Sequence, residues 1–145
     1  VRLPDDEYHR FLQTMPIVCV DGVLINEAGQ YLLVKRLNAP LQGTWWVPGG
    51  RVHKGETLEA AFRRKMREEL GIEVKILMPL GVTQELHADD PRGGEAGVHA
   101  VSVVFAALPL SNDIRLDEQS SDWGFFDELP EGLPKPQSLD TWVQR

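Results

Sequence analysis

Between Gly50 and Ile72 the sequence reads GRVHKGETLEAAFRRKMREELGI, a glycine-bounded loop running into a segment dense in cations and carboxylates. Glu68 and Glu69 are adjacent carboxylates, which repel one another unless a cation lies between them. Two such groups beside a loop that exposes backbone carbonyls suit an oxygen-ligated hard ion such as Mg²⁺. The same charges also allow a simpler arrangement. Arg64–Glu68 and Lys65–Glu69 are i,i+4 pairs, each worth about 0.2–0.5 kcal/mol on a solvated helix. Charge spacing alone does not decide between a metal site and a solvated helix face.

The element carrying these residues is the most periodic in the chain. Leu58, Phe62, Met66 and Leu70 recur every four positions, and Ala61 adds to their side, so an amphipathic helix is expected over Thr57–Leu70. Thr57 is suited to the N-cap and Gly71 to a left-handed C-terminal residue. On this pattern Lys65, Glu68 and Glu69 project away from the core. Leu3-Pro4-Asp5-Asp6-Glu7 reads as an earlier helix start, with Pro16 ending that helix. Ile17 to Ile25 reads as a strand, Asn26 to Gly29 as a turn and Tyr31 to Arg36 as the return strand of a hairpin. Trp45-Trp46-Val47 is a short extended piece, and Pro48-Gly49-Gly50 breaks regularity after it. Residues 72–88 and 97–108 read as strands around the loop ADDPRGGEAG, Asp122–Phe126 as a last strand, and Gln137–Trp142 as a weak helix. The expectation is one domain over residues 1–145, a sheet covered by helices on both faces.

The whole-chain properties narrow the partners. Of 145 residues, 42% are apolar and 26% charged, as in a soluble globular domain. A formal charge of −7 argues against nonspecific nucleic-acid binding, which needs a basic footprint. An anionic substrate therefore requires cations gathered locally. No apolar run is long enough for a membrane span. A single cysteine, Cys19, and an N-terminus without an apolar stretch lead us to expect a cytoplasmic protein with a buried, inert thiol.

The segment from Gly50 to Ile72 resembles the Nudix box: Gly, five residues, Glu, seven residues, Arg-Glu, an aliphatic residue, any residue, Glu-Glu, any residue, Gly, an aliphatic residue. Gly50, Glu56, Arg64, Met66, Glu68, Glu69, Gly71 and Ile72 fall on pattern, eight of nine specified positions across 23 residues. Lys65 stands where a Glu belongs. The resemblance implies a Nudix-type α/β/α sandwich with a mixed central sheet, in which the loop–helix–loop binds metal and pyrophosphate. Glu68 and Glu69 map onto metal-binding carboxylates, while Glu56 and Arg64 are read as a structural ion pair. With Lys65 in place of a third carboxylate, one tightly held Mg²⁺ is expected, with Mn²⁺ as a substitute.

Similarity beyond the box is to the GDP-mannose mannosyl hydrolase branch of this family, which also lacks the Glu at the position of Lys65. It is carried by Asp21, residues 32–38, Pro40, Gly43, Trp45, Val47–Val52 and Glu56–Phe62. The resemblance implies metal ligation by the Gly49 carbonyl, Glu69 and the Gln119 side chain, with Glu68 assisting. It implies that Arg36 and Arg51 contact a diphosphate and that Asp21 contacts substrate, and we add Tyr8 to that binding set. The expected reaction is hydrolysis of GDP-mannose by attack at sugar C1, with Glu68, Glu69, Arg36 and Arg51 as the catalytic set. Two departures stand out. Ser120 occupies the place of the general-base histidine, and Ala100 that of an aromatic residue. Glu85, His87, His99, Asp117, Glu118 and Asp122 are the alternative bases, whereas His9 and His53 read as ordinary exposed histidines. Attack at phosphorus of a nucleotide sugar or (d)NTP is a competing reading, and a catalytically decayed nucleotide-binding module is another. The resemblance also implies a homodimer paired through the N-terminal segment, where Tyr8, Phe11 and Leu12 either form that patch or pack onto their own core.

Overall fold

The computed structural model describes residues 3–38, 41–88 and 97–136. Pro40, most of the loop after residue 88 and the weak helix expected over 137–142 lie outside that range. Helix α1 (Asp5–Thr14) carries Asp5, Asp6 and Glu7 in its first turn, where acids complement the helix dipole, and Met15 closes it just before Pro16. It buries Leu12 and leaves Phe11 44% exposed, so the N-terminal apolar residues divide between core and surface. Strands β1 (Ile17–Leu24), β2 (Tyr31–Arg36), β3 (Trp45–Trp46) and β4 (Gly49–Arg51) lead to helix α2 (Leu58–Leu70). The chain then runs through β5 (Val74–His87), β6 (Val98–Pro109) and β7 (Ser120–Phe126).

The strands form two sheets: a mixed one in the order β4-β1-β6-β5, and an antiparallel one in the order β3-β2-β7. Within the mixed sheet β1 and β6 run parallel, with Ile17 opposite Ala100 and Cys19 opposite Ser102. The expected hairpin over residues 17–36 is not found. The chain of β1 bridges to β2 only at Ile25–Tyr31, after which the two strands belong to different sheets. The reason lies in burial. β1 is closed to water on both faces from Cys19 onward and takes a central position, so both its edges are already paired, with β4 and β6. Pro48-Gly49-Gly50 likewise does not merely interrupt the chain. Gly49 and Gly50 pair with Asp21 and Val20 as part of β4.

Two cores flank the sheets. One lies under α2, where Phe62, Met66 and Leu70 meet Val20, Leu24, Leu32 and Phe105. Full burial of a side chain such as Phe62 stabilises by about 1.5–3 kcal/mol. The other, on the opposite face, joins Val23, Leu33, Val47 and Val104 to Leu129 and Leu133 of the segment after β7. This is an α/β sandwich built on a mixed sheet, as expected, except that its strands split into two sheets. No helix among the described residues is long and apolar enough to cross a membrane.

Candidate functional site

The caps expected for α2 are in place. Thr57 Oγ1 accepts from the Ala60 amide at 3.1 Å, and Gly71 adopts φ 68°, ψ 23° with its amide bonded to the Arg67 carbonyl. Capping fixes the axial position of the helix, and with it every side chain the helix offers to the loop before it. Arg64 is the clamp between the two. Its Nε donates to Glu56 Oε2 at 2.7 Å, and Nη2 donates to Glu56 Oε1 at 2.8 Å and to the Arg51 carbonyl at 2.9 Å. Glu56 also accepts from the His53 amide at 2.8 Å. A carboxylate with this many donors strongly prefers its charged form. The Arg64 guanidinium, followed by the His53 amide, holds Glu56 down to about 2 against the opposing effect of burial. The pair thus ties loop to helix, in agreement with its reading as a structural ion pair.

The acidic residues of α2 do not all face solvent. Glu68 is half exposed, but Glu69 and Lys65 are buried, at 6% and 7% of their accessible surface. This corrects the expectation that all three project away from the core. Ala61, Lys65 and Glu69 form an i, i+4, i+8 row beside the Phe62–Met66–Leu70 row, so the helix buries two neighbouring rows. Lys65 Nζ lies 3.4 Å from both Glu68 Oε2 and Glu69 Oε1, a built-in cation between the two carboxylates. Glu69 Oε2 accepts from the Gly49 amide at 3.0 Å. Burial nevertheless raises Glu69 to about 7, with Lys65 and the Gly49 amide only partly opposing it. Glu68 is also pushed up by burial, but Arg64 and Lys65 outweigh that and hold it below the ordinary range.

These groups open onto a cleft of about 880 Å³. Tyr8, Asp21, Arg36, Gly49, Arg51, Glu68, Glu69 and Gln119 all line it, so every residue expected at the site is brought to one place. Arg51 stacks on Tyr8, with Cζ 5.7 Å from the ring centroid. Asp21 sits on the floor, 8% exposed. It accepts a hydrogen bond from Ser102, yet burial and the nearby Glu85 raise it to about 7. Gly49 is required opposite it, because a Cβ there would collide with Asp21 Oδ1 and the Val20 carbonyl. Cys19 lies on the same floor, buried as expected and unpaired, its thiol pushed up to about 12 chiefly by burial. His53 is half-buried on the cleft wall and not simply exposed.

Of the six alternative bases, Glu85 and Glu118 line the cleft; His87, His99, Asp117 and Asp122 do not. Ser102 was not foreseen. Its signal was a lone hydroxyl in the buried face Val98–Ala100–Ser102–Val104 of β6.

No group of three or more His, Cys, Asp or Glu side chains among the described residues is arranged to hold a metal ion. Mg²⁺ does not require one, since it keeps several waters and binds through one or two carboxylates and substrate phosphate. Glu68, Glu69 and the Gly49 carbonyl are oxygen donors of that kind, with Gln119 at the rim. The residues present therefore fit one hard cation bound largely through water and phosphate, beside the Lys65 ammonium.

Residues 15–141 match the NUDIX domain family. The low-salt glycan biosynthesis protein Agl8 of Haloferax volcanii is 36% identical over 132 residues, covering 91% of this chain and 84% of that protein. The ADP-ribose pyrophosphatase of Methanocaldococcus jannaschii is 37% identical over 112 residues, covering 77% of this chain and 62% of that protein. Among solved structures, the MutT NUDIX hydrolase of Burkholderia pseudomallei aligns with a TM-score of 0.68 at 32% identity, covering 89% of this chain and 95% of its own. A capped helix clamped by Glu56 and Arg64 to a glycine loop, within a domain matched over most of its length, makes this chain a member of the Nudix hydrolase family.

Proposed function

We propose that the protein is a Mg²⁺-dependent hydrolase of nucleoside-diphosphate sugars of the GDP-mannose kind, releasing GDP and the free sugar by attack of water at sugar C1. One observation carries the reading: a single cleft is cationic along Arg36, Arg51 and Lys65, yet presents carboxylates and a hydroxyl at Asp21, Glu85 and Ser102. Three phosphates in a row would bring negative charge against those carboxylates. A diphosphate ending in a neutral polyol meets arginines at one end and hydrogen-bond acceptors at the other.

Glu69 and Glu68, the Gly49 carbonyl and Gln119 would hold a Mg²⁺ ion, and such an ion would supply charge neutralisation to the departing diphosphate. Mn²⁺ is expected to substitute for it. Arg36 and Arg51 bind the same diphosphate and stabilise the charge that grows on it as the C1–O bond breaks. Lys65 supplies a further fixed positive charge, while Tyr8 stacks under Arg51 and limits its rotamers. Asp21, oriented by Ser102, accepts hydrogen bonds from sugar hydroxyls. GDP then leaves as the anion, and the proton of the attacking water passes to a base in the cleft.

Attack at phosphorus is the competing reading, favoured by the similarity to the ADP-ribose pyrophosphatase of M. jannaschii. Hydrolysis of GDP-mannose in ¹⁸O-water separates the two: label in mannose supports attack at carbon, while label in a phosphate product overturns it. The decayed-module reading is eliminated by any Mg²⁺-dependent turnover that Glu69→Gln abolishes. The exposed Phe11 of α1 supports pairing of two copies through the N-terminal segment. A monomeric mass by light scattering at working concentration would remove that part.

A further inference from the structure

We infer that Glu85 is the catalytic base that takes the proton from the attacking water, in the place left by Ser120. The inference rests on the hydrolase reading of the cleft but not on which bond water breaks.

Elimination within the cleft comes first. Glu56 is locked onto Arg64. Glu68 is held by Arg64 and Lys65, and Glu69 by Lys65 and the Gly49 amide. Asp21 is bonded by Ser102 and is taken up by the sugar hydroxyls in the proposed reading. Asp5 and Glu118 are exposed at the rim, where bulk water competes for them, and the His53 ring is held 3.7 Å from Glu56. Glu85 remains, on the wall formed by β5, with a side chain 21% exposed. His87 Nε2 lies 3.3 Å from Glu85 Oε2 and fixes the carboxylate from behind.

The sheet register shows how the carboxylate reaches the floor. Glu85 stands opposite Ala100 of β6, and Ala100 stands opposite Ile17 of β1. Glu85, Ala100 and Ile17 thus stand side by side across the sheet, and Ala100 between them offers a single methyl group. Glu85 lines the same cleft as Cys19 and Asp21 of β1, and its charge pushes both of them up. The two departures from the family branch thereby share one explanation. An aromatic ring at position 100 would stand between Glu85 and β1, and with Ala100 there a carboxylate can do the work of the missing imidazole.

In the step itself, the lone pair of water oxygen forms the new bond to the electrophile as one O–H bond passes its proton to a Glu85 oxygen. The bond to the leaving group breaks with its electron pair on the departing phosphate oxygen. The neutral Glu85 carboxyl then returns the proton to bulk water, and no oxidant or reductant is involved.

The test is Glu85→Gln, which keeps shape and hydrogen-bonding reach but loses basicity. Steady-state kinetics with Mg²⁺ and GDP-mannose, and calorimetric binding of GDP with Mg²⁺, are measured on the full chain. A base lost from an otherwise intact site lowers kcat by about 10²–10⁴-fold. KM and GDP affinity are expected to stay within about threefold. A Glu85→Gln kcat within threefold of wild type would overturn the proposal, as would the full loss appearing in Glu118→Gln instead. Running the same reactions in ¹⁸O-water keeps the two claims apart. Label in phosphate removes the carbon-attack reading and leaves Glu85 in place, whereas a fully active Glu85→Gln removes Glu85 and leaves the reaction in place.

Discussion

Replacing Glu56 by Gln tests the physical link between loop and helix on which the site depends. In the folded protein this carboxyl falls from an ordinary 4.5 to about 2, chiefly through its two hydrogen bonds from Arg64. Taken at face value, such a change corresponds to about 3 kcal/mol at neutral pH. Both side chains keep roughly a fifth of their surface exposed, 22% for Arg64 and 21% for Glu56, so solvent screening reduces the figure. We expect Glu56→Gln to cost about 1–2 kcal/mol, a fall of roughly 3–6 °C in Tm for a domain of this size. The sign with pH follows from linkage. Because the folded value is depressed, the stabilisation is complete above the unfolded value of 4.5, declines as pH falls, and is gone below about 2. Urea melts of both proteins at pH 7 and pH 3 measure it. The gap at pH 3 should be under half of that at pH 7. No gap at pH 7, or the same gap at pH 3, would refute the reasoning.

Asp21 behaves in the opposite sense. Its folded value is raised from 3.8 to about 7 by burial, so the folded state keeps a proton that the unfolded chain gives up across that window. In EDTA, stability from this group falls as pH rises from about 4 to 7 and is flat above. Asp21→Asn should therefore be more stable than wild type at pH 8, yet poor in turnover, and a stability difference constant from pH 4 to 8 would contradict this. Arg51→Ala removes a cation proposed to bind the diphosphate; hydrogen bonds to charged groups are worth about 1.5–3 kcal/mol, so kcat/KM should fall by roughly 10–100-fold. Its Tm should shift by only a few degrees, since the lost contact with Tyr8 is partly exposed.

What could be read from the sequence was local. The four-residue spacing of Leu58, Phe62, Met66 and Leu70, with Thr57 and Gly71 at the ends, specifies α2 because helical period and capping are properties of neighbouring residues. The box spacing likewise pointed to Glu68 and Glu69, and the similarity beyond it to Asp21, Arg36, Gly49, Arg51 and Gln119, all of which line one cleft. Lys65 and Glu69 were misplaced because charge in a sequence suggests solvent. Ala61 four residues before Lys65 was the available hint of a second buried row. The parallel pairing of β1 with β6, and the pairing of Glu85 with Ala100, depend on partners some 80 and 15 residues apart, for which periodicity carries no signal.

The central claim is that Glu69, with Glu68, holds a divalent cation that bears the diphosphate, and a Mn²⁺ titration followed by electron paramagnetic resonance in the presence of GDP tests it most directly. The account predicts saturable occupancy near one ion per chain in the wild type, lost in Glu69→Gln while the fold persists. Absence of saturable occupancy in the wild type, or equal occupancy in both proteins, would contradict it.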